Sequence, residues 1–289
     1  MSLSVGLEIE GVVLSFAQSS DPFPSRVEQQ VGLVAEALNN SGLSSRAYFP
    51  STTRGSGPNY MIWNVTVDVT VSEVTSESDA DDSAFKKRFG FEVISPVFYN
   101  SESHTWADEL QAGIYAINGT IKWKANRSTG LHVHIGRGNP GSEFTLVEVQ
   151  KIAMFYCRFE IAMDVLHPTH RSVENENVMS NRGNDLLRDM GMSQIYQMIR
   201  NTGTVSEIHG ILKYCPGDVK YDGYSDSRFF KVNFTSLQKH NTIEFRQHEG
   251  TTDPQRMIQW TKFLLKFVKF AMDSPFETIM APGESMDHL

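Results

Sequence analysis

A mixed helix-and-strand fold, built on a sheet with one apolar and one polar face, is predicted by three observations. Six short segments alternate strictly between apolar and polar residues, six longer ones carry helical periodicity, and no Pro-rich or Gly/Ser-rich linker separates them into blocks. At 289 residues the chain is long enough for two domains of about 150 residues or for one large unit. The absence of a linker or internal repeat favours a single domain over 1–289, with loop insertions near 51–59 and 72–83. Apolar residues at 40% and charged residues at 21% exclude wholesale disorder, collagen and coiled-coil rods.

The strands follow from period-two alternation, which puts successive side chains on opposite faces. Val5, Leu7 and Ile9 alternate with Glu8 and Glu10, and Val65, Val67, Val69 and Val71 with Thr66, Asp68 and Thr70. Phe89, Phe91 and Val93 flank Gly90 and Glu92; Leu131, Val133 and Ile135 flank His132 and His134. Phe230, Val232 and Phe234 flank Lys231 and Asn233; Ile243 and Phe245 flank Glu244 and Arg246, with His248 next in line.

Helical periodicity covers 26–39, 105–117, 143–166, 193–200 and 205–214. A last helix starts at Asp253, a natural N-cap with Pro254 at the first helical position, and carries a polar stripe of Gln255, Gln259, Lys262, Lys266 and Lys269. Such a stripe marks a helix docked by its other face on the protein's own core.

Charge and apolar runs exclude several function classes. Lys plus Arg number 26 against 34 for Asp plus Glu, and a net charge of −8 argues against general binding to nucleic acid or anionic membrane. The most apolar stretch, 146–166, is interrupted by Glu148, Lys151, Arg158, Glu160 and Asp164, so no bilayer span is expected. Glu8 and Glu10 stand where a signal peptide needs its apolar stretch, and Cys157 and Cys215 form no disulfide framework or CxxC pair, so a cytoplasmic location is expected.

If the six strands form one sheet, its polar face collects Glu8, Glu10, Asp68, Glu92, His132, His134, Lys231, Asn233, Glu244, Arg246 and His248. A merely solvated face favours Thr, Ser, Lys and Gln; here carboxylates and imidazoles recur at i and i+2. Carboxylates gathered on one surface repel unless a cation sits between them. Five carboxylates with one or two imidazoles suit hard divalent ions, Mg²⁺ or Mn²⁺, and more than one of them. Arg246 and Lys231 belong beside a phosphate chain whose remaining charge those ions neutralise, which points to nucleotide–metal chemistry. Two histidines at i and i+2 could instead hold the zinc of a hydrolase. No G-x-x-x-x-G-K-[ST] or G-x-S-x-G occurs, and GRGNPG at 136–141 fits a turn better than a phosphate cradle.

GLEIEG at 6–11, TGLHVHIG at 129–136 and TIEFRQHEGT at 242–251 resemble the amidoligase family, in the superfamily of glutamine synthetase and glutamate–cysteine ligase, the carboxylate–amine ligases. Asp68 followed at a distance by FEVISPVF at 91–98, and FFKVNFTSL at 229–237, extend the match through the chain in the family's order. The resemblance implies an α+β fold, a curved and mainly antiparallel sheet whose concave polar face holds ATP and two or three divalent ions, with helices on the convex side. It implies that Glu8, His132 and Glu244 hold the metal that bridges the ATP phosphates, and that Glu10, Asp68 and Glu92 hold metal nearer the acyl substrate. Arg246 would lie against the transferred phosphoryl group and His134 on ATP phosphate, with Lys231 and Asn233 as further nucleotide contacts; Arg246, Glu244 and Glu10 would be the catalytic residues. Nothing in the chain reproduces the ammonium-site or glutamate-site residues of glutamine synthetase.

The expected activity is therefore ATP-dependent amide formation through an acyl phosphate, with release of ADP and phosphate. Its substrates would be a small-molecule or peptide carboxylate and an amine or ammonia. The rival from another class is a regulatory module on the same fold that binds nucleotide and metal without turnover. His248 is either functional or a core histidine, and Arg171 either binds a substrate carboxylate or pairs with Glu174.

Overall fold

The computed structural model describes residues 2–15, 23–49, 57–71, 87–99, 101–103, 105–172, 175, 177–213 and 228–288. The chain divides into two compact units, Ser4–Val133 with Glu249–Thr261, and Met1–Leu3 with His134–His248 and Lys262–Leu289. Helices and strands are mixed, and strand pairing is mostly antiparallel.

In the first unit, β1 (Leu3–Ser15) pairs antiparallel with β4 (Lys87–Ile94), which pairs antiparallel with β3 (Trp63–Val67). The short β2 (Ser45–Ala47) runs parallel to β3, and β5 (Trp123–Lys124) lies against β1. Leu7, Ile9, Trp63, Val65, Phe91 and Val93 are buried, as the alternation predicts. They make a core with α1 (Phe23–Asn40) and α2 (Thr105–Thr120), whose Val34, Leu38, Leu110, Ile114 and Ile117 are buried. Gly113 lets α2 come close: a Cβ there would lie 3.3 Å from Leu38 Cδ2 and from Leu43 Cδ1. Gly11, inside the GLEIEG segment, is needed for the same reason, since a Cβ would lie 2.4 Å from the Trp123 ring and 2.7 Å from Phe91.

β6 (Gly130–Arg137) leads from the first unit into the second, where β7 (Val232–Asn233) pairs antiparallel with β8 (Thr242–Glu249). The centre of the second unit is α3 (Leu146–Asp164), which starts in a capping box between Thr145 and Glu148. Its interruptions are internal fasteners rather than a solvent face. Arg158 donates to the carbonyls of Thr278, Ile279, Pro282 and Gly283, and Gln150 donates to those of Ile199, Arg200 and Thr202, at the end of α5 (Met192–Arg200). The short α4 (Thr169–Ser172), α6 (Val205–Leu212) and α9 (Phe276–Ile279) touch α3, and α7 (Ser236–His240) links β7 to β8.

The last long helix, α8 (Pro254–Asp273), is capped by Asp253, which accepts from the Gln255 N–H at 2.8 Å. Met257, Ile258, Leu264, Phe267, Val268 and Ala271 are buried, so it is docked as the stripe predicts. Among the described residues no helix is long and apolar enough to cross a membrane.

Two strand expectations change. The strand predicted over 65–71 stops at Val67: Val69 is 92% exposed, and Asp68 accepts from the Thr70 N–H and hydroxyl in a tight turn. The strand predicted over 230–234 shrinks to two residues, with Phe230 bridging Met179 instead. Residues 72–83, Glu174, Tyr214 and Cys215 lie outside the described residues, as do 51–56. GRGNPG does form a turn after β6, with Gly141 at φ +77°.

Candidate functional site

Residues directly opposite in an antiparallel pair share a face. The β1–β4 register sets Glu10 against Glu92, and the β3–β4 register sets Thr66 against Glu92. Glu8, Glu10, Glu92 and Thr66 therefore stand together on the face opposite the apolar core. His132, on β6, joins them: its Nδ1 is 3.2 Å from Glu8 Oε2 and its Nε2 is 3.5 Å from Glu10 Oε1. One ligand atom each from Glu10, Glu92 and His132 falls within a 4.8 Å span.

Burial makes this juxtaposition chemically demanding. Glu10 is 6% exposed and His132 4%, so water screens their charges poorly. Glu10 Oε2 accepts from the Gly130 N–H at 2.7 Å, which fixes the carboxylate. Carboxylates held this close are stabilised by a positive charge placed among them, such as a divalent cation. Two carboxylate oxygens and an imidazole nitrogen within one ion's reach are a donor set for Mg²⁺ or Mn²⁺. Thr66 Oγ1, on the same face of β3, is buried and has no hydrogen-bond partner among the described residues.

Asp68, expected among the metal ligands, is not in this set. The turn that takes it out of β3 engages its carboxylate with Thr70, and packs so closely over β4 that a Cβ on Gly90 would lie 2.4 Å from the Asp68 carbonyl oxygen.

The second unit holds a different polar set, again built by register. Asn233 on β7 lies opposite Glu244 on β8, and its Nδ2 donates to Glu244 Oε2 at 2.7 Å. The Arg246 guanidinium donates to the other oxygen, Glu244 Oε1, and lies 5.9 Å from the centre of the Phe229 ring. His134 Nε2 is 3.9 Å from Glu244 Oε1, while its Nδ1 shares a 2.9 Å hydrogen bond with Thr242 Oγ1. Glu244, Asn233 and Arg246 are all buried, so this carboxylate is held in place by an amide and a guanidinium.

Lys231, expected to contact nucleotide, has another partner. Its Nζ lies 2.7 and 2.9 Å from the two oxygens of Asp164 and 3.3 Å from Glu160 Oε1, and the side chain is 2% exposed. With only Val232 and Asn233 in regular strand, Lys231 is released from the alternation and turns to the two α3 carboxylates. Gln247 also donates to Asp164. Arg171 is fixed by the backbone carbonyls of Arg246 and Gln247, a buried structural task for an arginine whose alternatives were a substrate carboxylate and Glu174. His248 is buried beside His167 with ring centres 5.7 Å apart. Burial, reinforced by His248, Arg171 and Lys231, pushes the His167 pKa down to about 3.

Sequence reasoning put Glu8, Glu10, Glu92, His132, His134, Asn233, Glu244 and Arg246 on one polar face, and the resemblance grouped Glu8, His132 and Glu244 at one metal and Glu10, Asp68 and Glu92 at another. It missed the acidic partners of Lys231. The Asp164–Glu160–Lys231 contact joins segments 67 residues apart and left no local signal.

Paired antiparallel strands that carry carboxylates and an imidazole on one face, among packed helices, make this a mixed α+β protein. Residues 1–268 match the family described as "Putative amidoligase enzyme", and the chain belongs to that family. The family's name describes a ligase. No curated protein matches the chain.

Proposed function

We propose that the protein is an ATP-dependent carboxylate–amine ligase. The observation that carries this reading is the convergence of Glu10, Glu92 and His132 on one buried point, in a chain of the amidoligase family. By resemblance the fold is that of a glutamine-synthetase catalytic domain, and the substrates are a carboxylic acid, ATP, and an amine or ammonia.

Glu10, Glu92 and His132, with Glu8 beside His132, are the residues that would hold divalent metal. When bound, such ions neutralise phosphate charge and orient the nucleotide. Arg246 is positioned by Glu244 and Phe229, and in this reading offsets the charge on the γ-phosphoryl group as it passes to the substrate carboxylate. His134, oriented by Thr242, contacts phosphate, and Asn233 keeps Glu244 in place. The products of the first half-reaction are ADP and an acyl phosphate; attack by the amine then releases inorganic phosphate and the amide. Asp68 and Lys231 have no part in the proposal, because the turn at Thr70 and the α3 carboxylates engage them.

Incubation with ATP, Mg²⁺, hydroxylamine and pooled carboxylic acids tests the reading. The expected result is a hydroxamate from one acid, with one ADP and one phosphate per hydroxamate. ATP held tightly with no hydroxamate from any acid would favour a binding module, and release of AMP with pyrophosphate would replace the acyl phosphate by an acyl adenylate.

A further inference from the structure

A cavity of about 320 Å³ lies between the start of α3, the first turns of α6 and the end of α7. Phe144, Val149 and Leu237 give it apolar walls, and the exposed Glu143 stands among them. His209, on α6, lines it as well. That side chain is 2% exposed, and neither ring nitrogen has a hydrogen-bond partner among the described residues.

A buried imidazole with both nitrogens unsatisfied is destabilising, and an apolar residue would avoid that cost on a helix whose other buried residues are Ile208 and Leu212. A second void touches His209, lined also by Asn181 and Thr235, but at about 10 Å³ it has room for one water at most. One water can serve one nitrogen, which leaves the other to the larger cavity.

The lining selects the charge of an occupant. Burial, with a contribution from Lys213, holds the His209 pKa down at about 4, so at neutral pH the ring is uncharged and offers one lone pair and one N–H. Among the described residues that line the cavity, Glu143 carries charge and no lysine or arginine offsets it. The two helix starts that border the cavity would otherwise attract an anion, but both are already satisfied. Thr145 and Thr204 cap them, and Glu148 and Glu207 stand in their first turns. An ammonium therefore finds an imidazole lone pair and a carboxylate, where an anion finds no cation.

We propose that this cavity is a binding site for a small molecule carrying a primary ammonium on a short apolar chain. The chain lies against Phe144, Val149 and Leu237, and the ammonium donates to the His209 ring, with Glu143 supplying the opposite charge. The lining falls within residues 143–241, and the proposal needs neither the divalent ions nor the nucleotide of the proposed reaction.

The test is titration of the full chain at constant pH with n-butylammonium, n-butanol and butyrate, three probes of equal chain length, followed by the proton–carbon NMR signals of the histidine rings. n-Butylammonium should shift the His209 signal saturably, that signal being assigned by its loss in His209→Phe. Both n-butanol and butyrate should bind about tenfold or more weakly, for want of a charge-assisted hydrogen bond. His209→Phe should remain folded and lower n-butylammonium affinity, read by saturation transfer to the ligand, by about tenfold or more. Should His209→Phe not fold, His209→Gln supplies the assignment, and Leu237→Trp, which fills the cavity from its half-buried wall, should abolish the shift. An n-butylammonium titration that leaves His209 unmoved would overturn the proposal. So would butyrate or n-butanol binding as tightly, or undiminished n-butylammonium affinity in His209→Phe or Leu237→Trp.

Discussion

The two polar sets of this protein hold their carboxylates in different ways. In the first unit Glu8 and Glu10 lie within 3.2 and 3.5 Å of one imidazole, His132, and Glu92 offers an oxygen to the same point as Glu10 and His132. In the second unit Glu244 is paired with Arg246, and buried Glu160 shares Lys231 with the partly exposed Asp164. Removing one partner of a buried ion pair leaves the other charge stranded. In the proposed reading, carboxylates gathered around one imidazole suit a cation-binding site.

Substitutions can break or sharpen this contrast. The largest effect is expected from Lys231→Met, which leaves Glu160 buried at 1% exposure without its ammonium; denaturant unfolding should show a loss of about 3–5 kcal/mol. Glu244→Gln comes next. It removes the charge that Arg246 pairs with while keeping the Asn233 side in place, and should cost about 1–3 kcal/mol in the metal-free protein. Glu92→Gln should do the reverse, leaving the metal-free midpoint unchanged or slightly raised, because it relieves repulsion. If Glu92→Gln destabilised as strongly as Glu244→Gln, the two sets would not differ in kind.

A smaller effect is expected from pH. Burial, with a contribution from Lys213, pushes the His209 pKa down to about 4 from an ordinary 6.5, and His167 behaves similarly. Between those values the unfolded chain binds the proton and the folded one does not. The stabilisation is therefore whole above about pH 6.5, and is lost as pH falls toward 4. His209→Phe should flatten the midpoint–pH curve over that window; an unchanged slope would mean His209 is not the group responsible.

Much of the first unit was legible because alternation survives wherever a strand is paired on both sides. Glu10, Glu92 and the apolar set Leu7, Ile9, Phe91 and Val93 follow from period two alone. Alternation misleads at strand ends, where pattern continues but pairing does not. Val69 and Val71 keep the alternation of β3, yet the turn at Asp68 and Thr70 has already ended it, and only Val71 is buried. Lys231 escapes the pattern for a related reason, since a two-residue β7 cannot dictate the direction of its neighbour. The partner of Arg158 was also unreadable, because the carbonyls it caps lie about 120 residues onward. Alternation fixes which face a residue joins; it says nothing about which distant group will claim its polar atoms.

The contrast between the two sets rests on whether the acid-rich one takes a divalent cation. Thermal unfolding of the full chain across a Mg²⁺ and Mn²⁺ series, against EDTA, tests this most directly. Selective binding to the folded state should raise the wild-type midpoint progressively with metal concentration, by the equivalent of about 2.7 kcal/mol at a hundred times the dissociation constant. Glu92→Gln should lose most of that rise while remaining folded in EDTA. A wild-type midpoint that does not move with either ion, or a Glu92→Gln variant that follows wild type throughout the series, would contradict it.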